Sequence, residues 1–195
     1  MSHVTLDVLC DLPQAFQPAA FRIKRASEAW ERRDAHALRR AVFCVEQGIF
    51  VGDDRDANDA AAQLLVACTS LAGECDQVVG TVRIHEAEPG VWWGSRLAVH
   101  PSFRHMGRIG ATLIQLAVCS ARAQGAHTFL AHVQQANVPL FERLHWHSLA
   151  GVSLHGRPHA LMHADLLEHP PCHAPDWGFL TQTTPRAGTP AKASA

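Results

Sequence analysis

The residues with the clearest potential for chemistry lie in one stretch, Arg96–Gln115, which reads RLAVHPSFRHMGRIGATLIQ. Leu97–Val99 is apolar and β-like, and Pro101 ends the strand because it has no amide donor. A basic loop with two glycines follows at Arg104–Gly110, and then an apolar helix. The first turn of a helix has unpaired N–H groups and a partial positive charge, and glycine allows close backbone approach. The stretch therefore predicts a site for a phosphate-bearing ligand.

The composition is that of one globular domain. The 195 residues are 47% hydrophobic and carry a formal net charge of −1, which does not favour a nucleic-acid surface. Six cysteines form no CxxC pair, which is typical of a reducing cytoplasm. We find no signal peptide and no long apolar run, so we expect a cytoplasmic protein without membrane contact. Four arginines predict a solvated helix face: Arg32, Arg33, Arg39 and Arg40.

Hydrophobic periodicity and turn residues predict the element order β, α, β-β-β, α, β, α, β-β. This order predicts an α/β (α+β) fold with a mixed central sheet of about seven strands and helices on both faces. The predicted strands cover 20–25, 63–70, 77–84, 91–99, 127–133, 146–154 and 158–166. The first long helix is predicted to start at Asp34 and end at Gly48, the second to end near 124, and the third to cover 137–144.

The predicted domain organisation has three parts. Residues 1–18 are interpreted as a loosely ordered lead-in, and 19–166 as one domain. Residues 167–195 are rich in Pro, Thr and Ala and predict a largely disordered tail, because such a segment has little apolar surface to bury.

Several segments share a pattern with a known enzyme family. They are VGTVR at 79–83, RLAVHP at 96–101 with Arg104, Gly107 and Gly110 after it, LFERLHW at 140–146 after Asn137, and RRAVFCVEQ at 39–47. Over about residues 20–166 the chain resembles the GNAT superfamily of N-acetyltransferases. The segments from 134 to 146 and from 155 to 159 further resemble members encoded beside nitrilase-type genes.

The resemblance implies acetyl-CoA, or a longer acyl-CoA, as co-substrate and no metal. It implies that the loop amides hold the pyrophosphate, that the pantetheine lies along the strand before the loop, and that Asn137 faces this arm. The implied cofactor-binding residues are Leu97, Ala98, Val99, Arg104, His105, Met106, Gly107, Arg108, Ile109, Gly110, Asn137 and Phe141.

The chain departs from the family pattern at three points. In the loop, Ile109 or Arg108 falls where a small residue is expected, so either the loop is one residue longer or one close backbone approach is lost. Phe141 stands where a tyrosine often protonates the departing thiolate, and the chain has no tyrosine at all. His145 replaces the usual glycine before Trp146.

A general base is expected, because a free alkylamine is mostly protonated at neutral pH. The candidates are Glu86, His85, Glu46, His100 and His132. We rank Glu86, at the end of the third strand, and Glu46, on the helix of the substrate wall, as the catalytic residues. The thiolate can take its proton from water.

The acidic loop at 52–59 has two interpretations. Its four aspartates, Asp53, Asp54, Asp56 and Asp59, form either a solvated turn or an acidic lip that attracts a cationic amine. A calcium loop is excluded, because the sixth and twelfth positions from Asp54 are not Gly and Glu. His155, His159 and His163 recur every four residues but fall in a predicted hairpin, which does not favour a metal site.

The sequence thus predicts an acetyl-CoA-dependent N-acyltransferase that acetylates a primary amine of a small molecule by direct attack on the thioester. A non-catalytic acyl-CoA-binding or regulatory module is the main alternative. A less favoured one resembles acyl-homoserine-lactone synthases, on Arg40, Phe43 and the downstream aspartates. We expect a small-molecule amine substrate, no nucleic-acid partner, and a monomer or homodimer.

Overall fold

A computed structural model describes residues 20–182 apart from 72, 105 and 107. Its strands are β1 (Ala20–Arg25), β2 (Gln63–Leu71), β3 (Glu74–Glu88), β4 (Val91–Val99), β5 (Thr128–Gln134), β6 (Trp146–Leu154), β7 (Arg157–Ala164) and β8 (Phe179–Gln182). Its α-helices are α1 (Ala29–Arg40), α2 (Ile109–Ala123) and α3 (Val138–Glu142). None of these helices has the length and apolar character needed to span a membrane. The lead-in predicted for 1–18 lies outside the described residues.

One mixed sheet carries the fold, in the order β6-β7-β5-β4-β3-β2-β1-β8. Every pair of neighbouring strands is antiparallel except β4 and β5, which run parallel. A parallel pair needs a crossover, and α2 provides it. The order of elements predicted from the sequence is confirmed as far as β7.

The two faces of the sheet carry different helices. On β2, Leu65 and Ala67 are fully buried in the core that contains α2, while Val66 and Cys68 are fully buried in the core that contains α1. Because alternate strand residues point to opposite faces, α1 and α2 must cover opposite sides. The predicted arrangement of helices on both faces is confirmed.

The first helix begins earlier than the predicted start at Asp34. The carboxylate of Glu31 accepts hydrogen bonds from the backbone amides of Ser27 and Glu28, and it forms a 2.6 Å ion pair with Lys24. These contacts satisfy amide donors at the helix start, which therefore lies at Ala29. The helix continues through a π-helical turn at 41–46, a feature that is frequent at functional sites.

The segment predicted as a tail from residue 167 contributes an eighth strand, so the sheet is wider than the predicted seven. β8 pairs with β1, and Arg25 forms a two-pronged ion pair with Asp176 at 2.8 and 2.7 Å. The amide of Cys172 donates to the Cys119 carbonyl on α2 at 2.9 Å. Backbone and ionic contacts fasten 167–182, which the low apolar content did not reveal. Residues 183–195 lie outside the described residues.

Gly178 is expected to be essential for this fastening. It has φ +60°, and a Cβ placed there would lie 2.8 Å from the carbonyl carbon of Ile23, a contact with backbone that cannot move aside. Gly125 has φ +90° but nothing within 4 Å of the same Cβ, so it is a control for backbone strain alone. Gly125→Ala should cost about 1 kcal/mol of unfolding free energy, and Gly178→Ala at least about twice as much.

Urea denaturation of both variants measures this difference. Equal losses at the two positions would contradict the close packing of 167–182 against β1.

Candidate active site

The sheet splits at its centre. β4 and β5 pair only from Val91–Gly94 to Thr128–Ala131, and beyond this point the two strands separate. Ser95–Val99 on one side and His132–Gln134 on the other therefore face a gap rather than each other. Unpaired strand edges present free backbone donors and acceptors to whatever enters such a gap.

A β-bulge accompanies the split. Thr81 pairs with Ala98 and Arg83 with Ser95, so Val82 alone stands opposite the two residues Arg96 and Leu97. Arg96 adopts φ +56°, a left-handed conformation that is unfavourable for a side-chain-bearing residue. A bulge bends its strand. Gly94, two residues earlier, is regularly paired with both neighbouring strands, and a Cβ there would lie 3.0 Å from the Phe129 ring.

A closed ring of ion pairs surrounds this bulge. Three arginines and three aspartates alternate in it, and each residue bridges two partners. The six contacts are Arg39–Asp54 at 2.8 Å, Asp54–Arg96 at 3.0 Å, Arg96–Asp56 at 3.1 Å, Asp56–Arg83 at 2.6 Å, Arg83–Asp59 at 2.7 Å and Asp59–Arg39 at 2.5 Å. We call these six residues the ion ring. It joins α1, the acidic loop, β3 and β4.

The ion ring lies mostly away from solvent. The side chains of Arg39 and Asp54 are 0% exposed, and that of Arg83 is 2% exposed. Burial alone would raise the pKa of Asp59, but hydrogen bonds from Arg39 and the Asp56 amide, together with the charges of Arg39 and Arg83, hold the pKa far below its ordinary value. The hydrogen bond from Arg83 likewise lowers the pKa of Asp56. Asp56 and Asp59 are thus held as anions, and with three arginines and three aspartates the ring is formally neutral.

This finding replaces both interpretations of the acidic loop. Asp54, Asp56 and Asp59 form neither a solvated turn nor an acidic lip, because arginines occupy their carboxylates. Arg39, predicted on a solvated face, is buried for the same reason. The ring links residues 15 to 42 positions apart in the chain, a separation that local periodicity does not encode.

Two cavities meet at the split. The first, of ≈ 860 Å³, lies over β4 and the start of α2, and we call it the cleft. The second, of ≈ 590 Å³, lies between the split strands and the acidic loop, and we call it the chamber. Four residues line both cavities: Gln47, Leu97, Gln134 and Asn137.

The cleft collects most of the residues that the sequence assigned to cofactor binding. Those that line it are Leu97, Ala98, Val99, Arg104, Arg108, Ile109, Gly110 and Asn137. Met106 instead packs against the core, and Phe141 lines the chamber and is 7% exposed. His105 and Gly107 lie outside the described residues.

The start of α2 has the properties of an anion site. Its first turn begins at Ile109, whose side chain is 2% exposed and points into the core, so it does not obstruct the cleft. At Gly110 an added Cβ would meet only a Val99 methyl at 3.9 Å. Packing within the protein therefore does not require glycine there, and its absent side chain leaves space over the unpaired helix amides.

Arg104 and Glu46 are brought together across the mouth of the cleft. The guanidinium contacts the carboxylate through two hydrogen bonds of 2.8 and 2.6 Å, and it also donates to the Val99 carbonyl. The hydrogen bond from Arg104 lowers the pKa of Glu46. A carboxylate held as an anion by an arginine is a weak proton acceptor, so this position does not favour Glu46 as a base.

Glu86 lies away from the chamber. It is exposed, and its carboxylate accepts a hydrogen bond from the Gly90 amide at 2.7 Å. Its neighbours His85 and Ala87 line the chamber, and alternate residues of a strand point to opposite faces. The structure therefore places His85, and not Glu86, on the chamber side of β3.

Histidine and aromatic side chains dominate the chamber. His132 lies 5.0 Å from Trp93 between ring centroids, and Phe50 lies 4.9 Å from His155 in an edge-to-face contact. Burial is the main cause that lowers the pKa of His132 from its ordinary 6.5, and the charge of the nearby His159 is the second. The pKa of His85 is also lowered, mainly by burial and secondly by the positive charge of Arg83. Both imidazoles are thus neutral at neutral pH and able to accept a proton.

A possible metal ligand set occurs once among the described residues, at Glu31, Cys68 and Cys75, whose ligand atoms lie within 4.8 Å of one another. The Glu31 carboxylate is already bound by Lys24 and by two backbone amides. Cys68 is buried, and burial raises the pKa of its thiol, which opposes the thiolate that a metal requires. These contacts indicate a structural cluster.

A family model described as acetyltransferase (GNAT) family matches residues 15–146. The chain belongs to this family. No functionally curated relative matches it. Its fold is similar to that of a candidate N-acetyltransferase from Lactobacillus plantarum, with a TM-score of 0.66 and 23% identity over 75% of this chain and 98% of that one. It is also similar to Escherichia coli ElaA, with a TM-score of 0.61 and 16% identity over 74% of this chain and 98% of that one. A third similar structure is an acyl-CoA N-acyltransferase from Pseudomonas aeruginosa, with a TM-score of 0.60 and 19% identity over 74% of this chain and 97% of that one.

GNAT proteins use an acyl-CoA co-substrate, and the cleft fits that requirement with its helix amides and the open space at Gly110. Its departures from the family pattern also have structural reasons. His145 adopts φ +61°, so it takes the left-handed conformation that the usual glycine would adopt. Phe141 packs at 5.0 Å on the Trp146 ring and serves the core.

Sequence reasoning missed several residues of the site. The motifs contain Arg83 and Arg96 without indicating that these arginines bind aspartates, and no motif places Trp93 or Phe50 at the site. Strand alternation was the available signal for Trp93, which pairs with His85 across β3 and β4. No comparable signal pointed to the ion ring.

Breaking the ion ring should destabilise the protein. Asp59→Asn removes the charge that joins Arg39 to Arg83 and should cost about 3 kcal/mol, because two buried guanidinium groups lose a partner. The difference in unfolding free energy between Asp59→Asn and wild type should shrink in acid. The pKa of Asp59 is lower in the folded than in the unfolded protein, so its charge stabilises the fold fully above the unfolded pKa. This stabilisation is lost as the pH falls and the aspartate gains a proton. Denaturation at several pH values measures it.

Asp53→Asn is the matched control, because Asp53 pairs with Arg55 at the surface. It should change stability little at any pH. An equally small effect of Asp59→Asn would contradict a structural role of the ring.

Proposed function

We propose that the protein transfers an acetyl group from acetyl-CoA to the primary amine of a small molecule by direct attack on the thioester. One observation carries this proposal: the anion-binding cleft and the histidine-lined chamber meet at Leu97, where β4 and β5 separate. Such an arrangement lets two substrates, one in each cavity, meet where the strands separate.

The residues of the cleft would hold acetyl-CoA. The amides at the start of α2 suit its pyrophosphate, and Arg108 and Arg143 in the lining of the cleft would add positive charge. The free edge of β4 at Leu97–Val99 would bind the pantetheine arm through backbone hydrogen bonds. Bound acetyl-CoA supplies a thioester carbonyl, and backbone amides of β4 would polarise it.

We assign the base to His132 rather than to the two carboxylates ranked from the sequence. His132 follows Ala131, the last residue of β5 that pairs with β4, and so stands where the gap opens. Its neutral imidazole can take the proton of the attacking amine. His85 lies on the neighbouring strand as a second acceptor. Phe141 cannot protonate the thiolate, so the proton would come from water or from the histidine.

Filling the space at Gly110 should weaken acetyl-CoA binding. Gly110→Leu places a side chain over the first turn of α2, where an added Cβ would meet only the Val99 methyl at 3.9 Å, so folding should be preserved while the dissociation constant rises at least about tenfold. Isothermal calorimetry measures this constant.

Gly151→Leu is the control for that variant, because an added Cβ there also meets nothing within 4 Å and Gly151 lies on β6, outside the cleft. It should bind acetyl-CoA as wild type does. Unchanged affinity in Gly110→Leu would remove the helix start from the binding site.

His132 should determine how kcat/KM falls at acidic pH, which is the acid limb of the pH profile. Its pKa is lowered, so with an acceptor amine that is itself uncharged over this range wild-type kcat/KM should be constant near neutral pH and fall only below pH 6.5, as the imidazole gains a proton and can no longer accept one. His132→Gln should lose this limb and about a hundredfold in kcat/KM. Release of free CoA thiol across the pH range measures both effects.

His147→Gln, on β6 and outside the lining of the chamber, should keep the wild-type profile. Acetyl-CoA binding without CoA release over a broad set of amines would contradict the enzyme and support a non-catalytic acyl-CoA-binding module.

A further inference from the structure

We infer that the acceptor is an aromatic primary amine of the aniline type, which enters the chamber uncharged and packs its ring against the aromatic walls. This inference rests on the proposed function and specifies the substrate of the same site. The charge of the chamber, its aromatic walls and its proton acceptors carry the inference.

The chamber offers no partner to a cation. The described residues that line it include no aspartate or glutamate. Its formal charges lie on Arg83 and Arg96, and the three carboxylates that face these arginines each already bridge two guanidinium groups in the ion ring. An alkylammonium would lose its hydration there without gaining an ion pair, which is costly. An aniline-type nitrogen shares its lone pair with the ring and is neutral at neutral pH.

The walls of the chamber present aromatic faces. Trp93 and Phe50 are both half-buried, so part of each ring remains accessible from the chamber. Trp93 is held against His132, and the Arg96 guanidinium carbon lies 4.5 Å from the centre of the Phe50 ring. Aromatic rings gain energy from offset or edge-to-face contact beyond simple area burial. An alkyl group packed against the same walls would gain binding energy only from the burial of its apolar surface.

The remaining polar groups of the chamber suit a neutral amine that must lose a proton. The Nδ1 of His159 is 2.9 Å from the Arg157 carbonyl, so Nδ1 carries the hydrogen and Nε2 is the acceptor of the neutral ring. Together with His132 and His85 this provides proton acceptors but no anion. Arylamine N–H groups are donors, and they match such a surface.

The reaction balances without a further reactant. The lone pair of the arylamine nitrogen forms the C–N bond to the acetyl carbon, and the C–S bond of the thioester breaks with its electron pair on sulfur. One N–H proton passes to His132 and then to the thiolate. The products are an N-aryl acetamide and free CoA thiol.

A panel of three amines tests the inference on the full chain with acetyl-CoA. Aniline is aromatic and neutral, benzylamine is aromatic and cationic, and cyclohexylamine is aliphatic and cationic. Rates measured without enzyme are subtracted first. At neutral pH, kcat/KM for aniline should then be higher than that for benzylamine. It should be at least about tenfold higher than that for cyclohexylamine.

Trp93→Leu separates the contribution of the aromatic wall. It should reduce kcat/KM for aniline about tenfold and that for cyclohexylamine by a smaller factor, because an alkyl ring loses only part of its area contact. Trp177→Leu is the matched control, because Trp177 is 75% exposed and does not line the chamber. It should leave the rates with all three amines unchanged.

Ala87→Glu separates the contribution of charge. Ala87 is an exposed residue on the chamber wall, so a glutamate there supplies the carboxylate that the lining lacks. Relative to the neutral variant Ala87→Gln, it should raise kcat/KM for both cationic amines and leave aniline unaffected. No difference between the two variants would contradict the charge argument.

The two proposals can fail separately. CoA release that is equal or faster with cyclohexylamine or benzylamine than with aniline overturns the aromatic acceptor and leaves acetyl transfer standing. Release with none of the three amines, while calorimetry still detects acetyl-CoA binding, also overturns the aromatic acceptor. Absence of acetyl-CoA binding overturns the proposed function itself.

Discussion

The ion ring is the constraint on which the rest of the site depends. Burying the charges of Arg39, Asp54 and Arg83 is costly, and the cost is offset because every member of the ring has two partners at 2.5–3.1 Å. The ring ties the end of α1 and the acidic loop to β3 and to the bulge on β4. Arg96 also donates from its guanidinium to the Asp54 carbonyl, so its left-handed backbone is held from two sides. A single missing partner would release a strained residue at the centre of the sheet.

The bulge in turn explains why the sheet splits. β4 pairs regularly with β5 as far as Gly94, and the extra residue at Arg96 follows immediately. A strand that bends away leaves unpaired backbone on both sides of a gap, which is unfavourable unless another group pairs with it. The start of α2 adds unpaired amides to the same region. Two kinds of unsatisfied backbone thus border the cleft, and both suit a ligand that carries amides and phosphates.

The ring also determines the chemistry of the chamber. Three aspartates lie within a few residues of one another beside the site, a cluster that by itself would attract cations. Three arginines pair with these aspartates, so the chamber beside them has no unpaired carboxylate to offer a cation. Its character then comes from Trp93, Phe50 and the histidines. The same contacts that shape the backbone therefore set which acceptor amines the chamber accommodates.

Much of the architecture follows from the sequence alone. Local patterns suffice for the order of strands and helices as far as β7, for the strand-loop-helix around Pro101 and Gly110, and for the family, because each depends on residues that are neighbours in the chain. Strand alternation also carried the information that Glu86 and His85 face opposite sides, although it does not say which side holds the site.

Only the tertiary structure decided the remainder. Arg39 and Arg96 find their aspartate partners 15 to 42 residues away, and β8 reaches β1 across more than 150 residues, as the Arg25–Asp176 contact shows. In the sequence, Glu46 is simply an acidic residue on a helix. Its pairing with Arg104, which lies 58 residues away, appears only in the folded protein. Such pairings depend on how distant segments pack, and hydrophobic periodicity encodes which face of an element is buried but not which charge it will meet there.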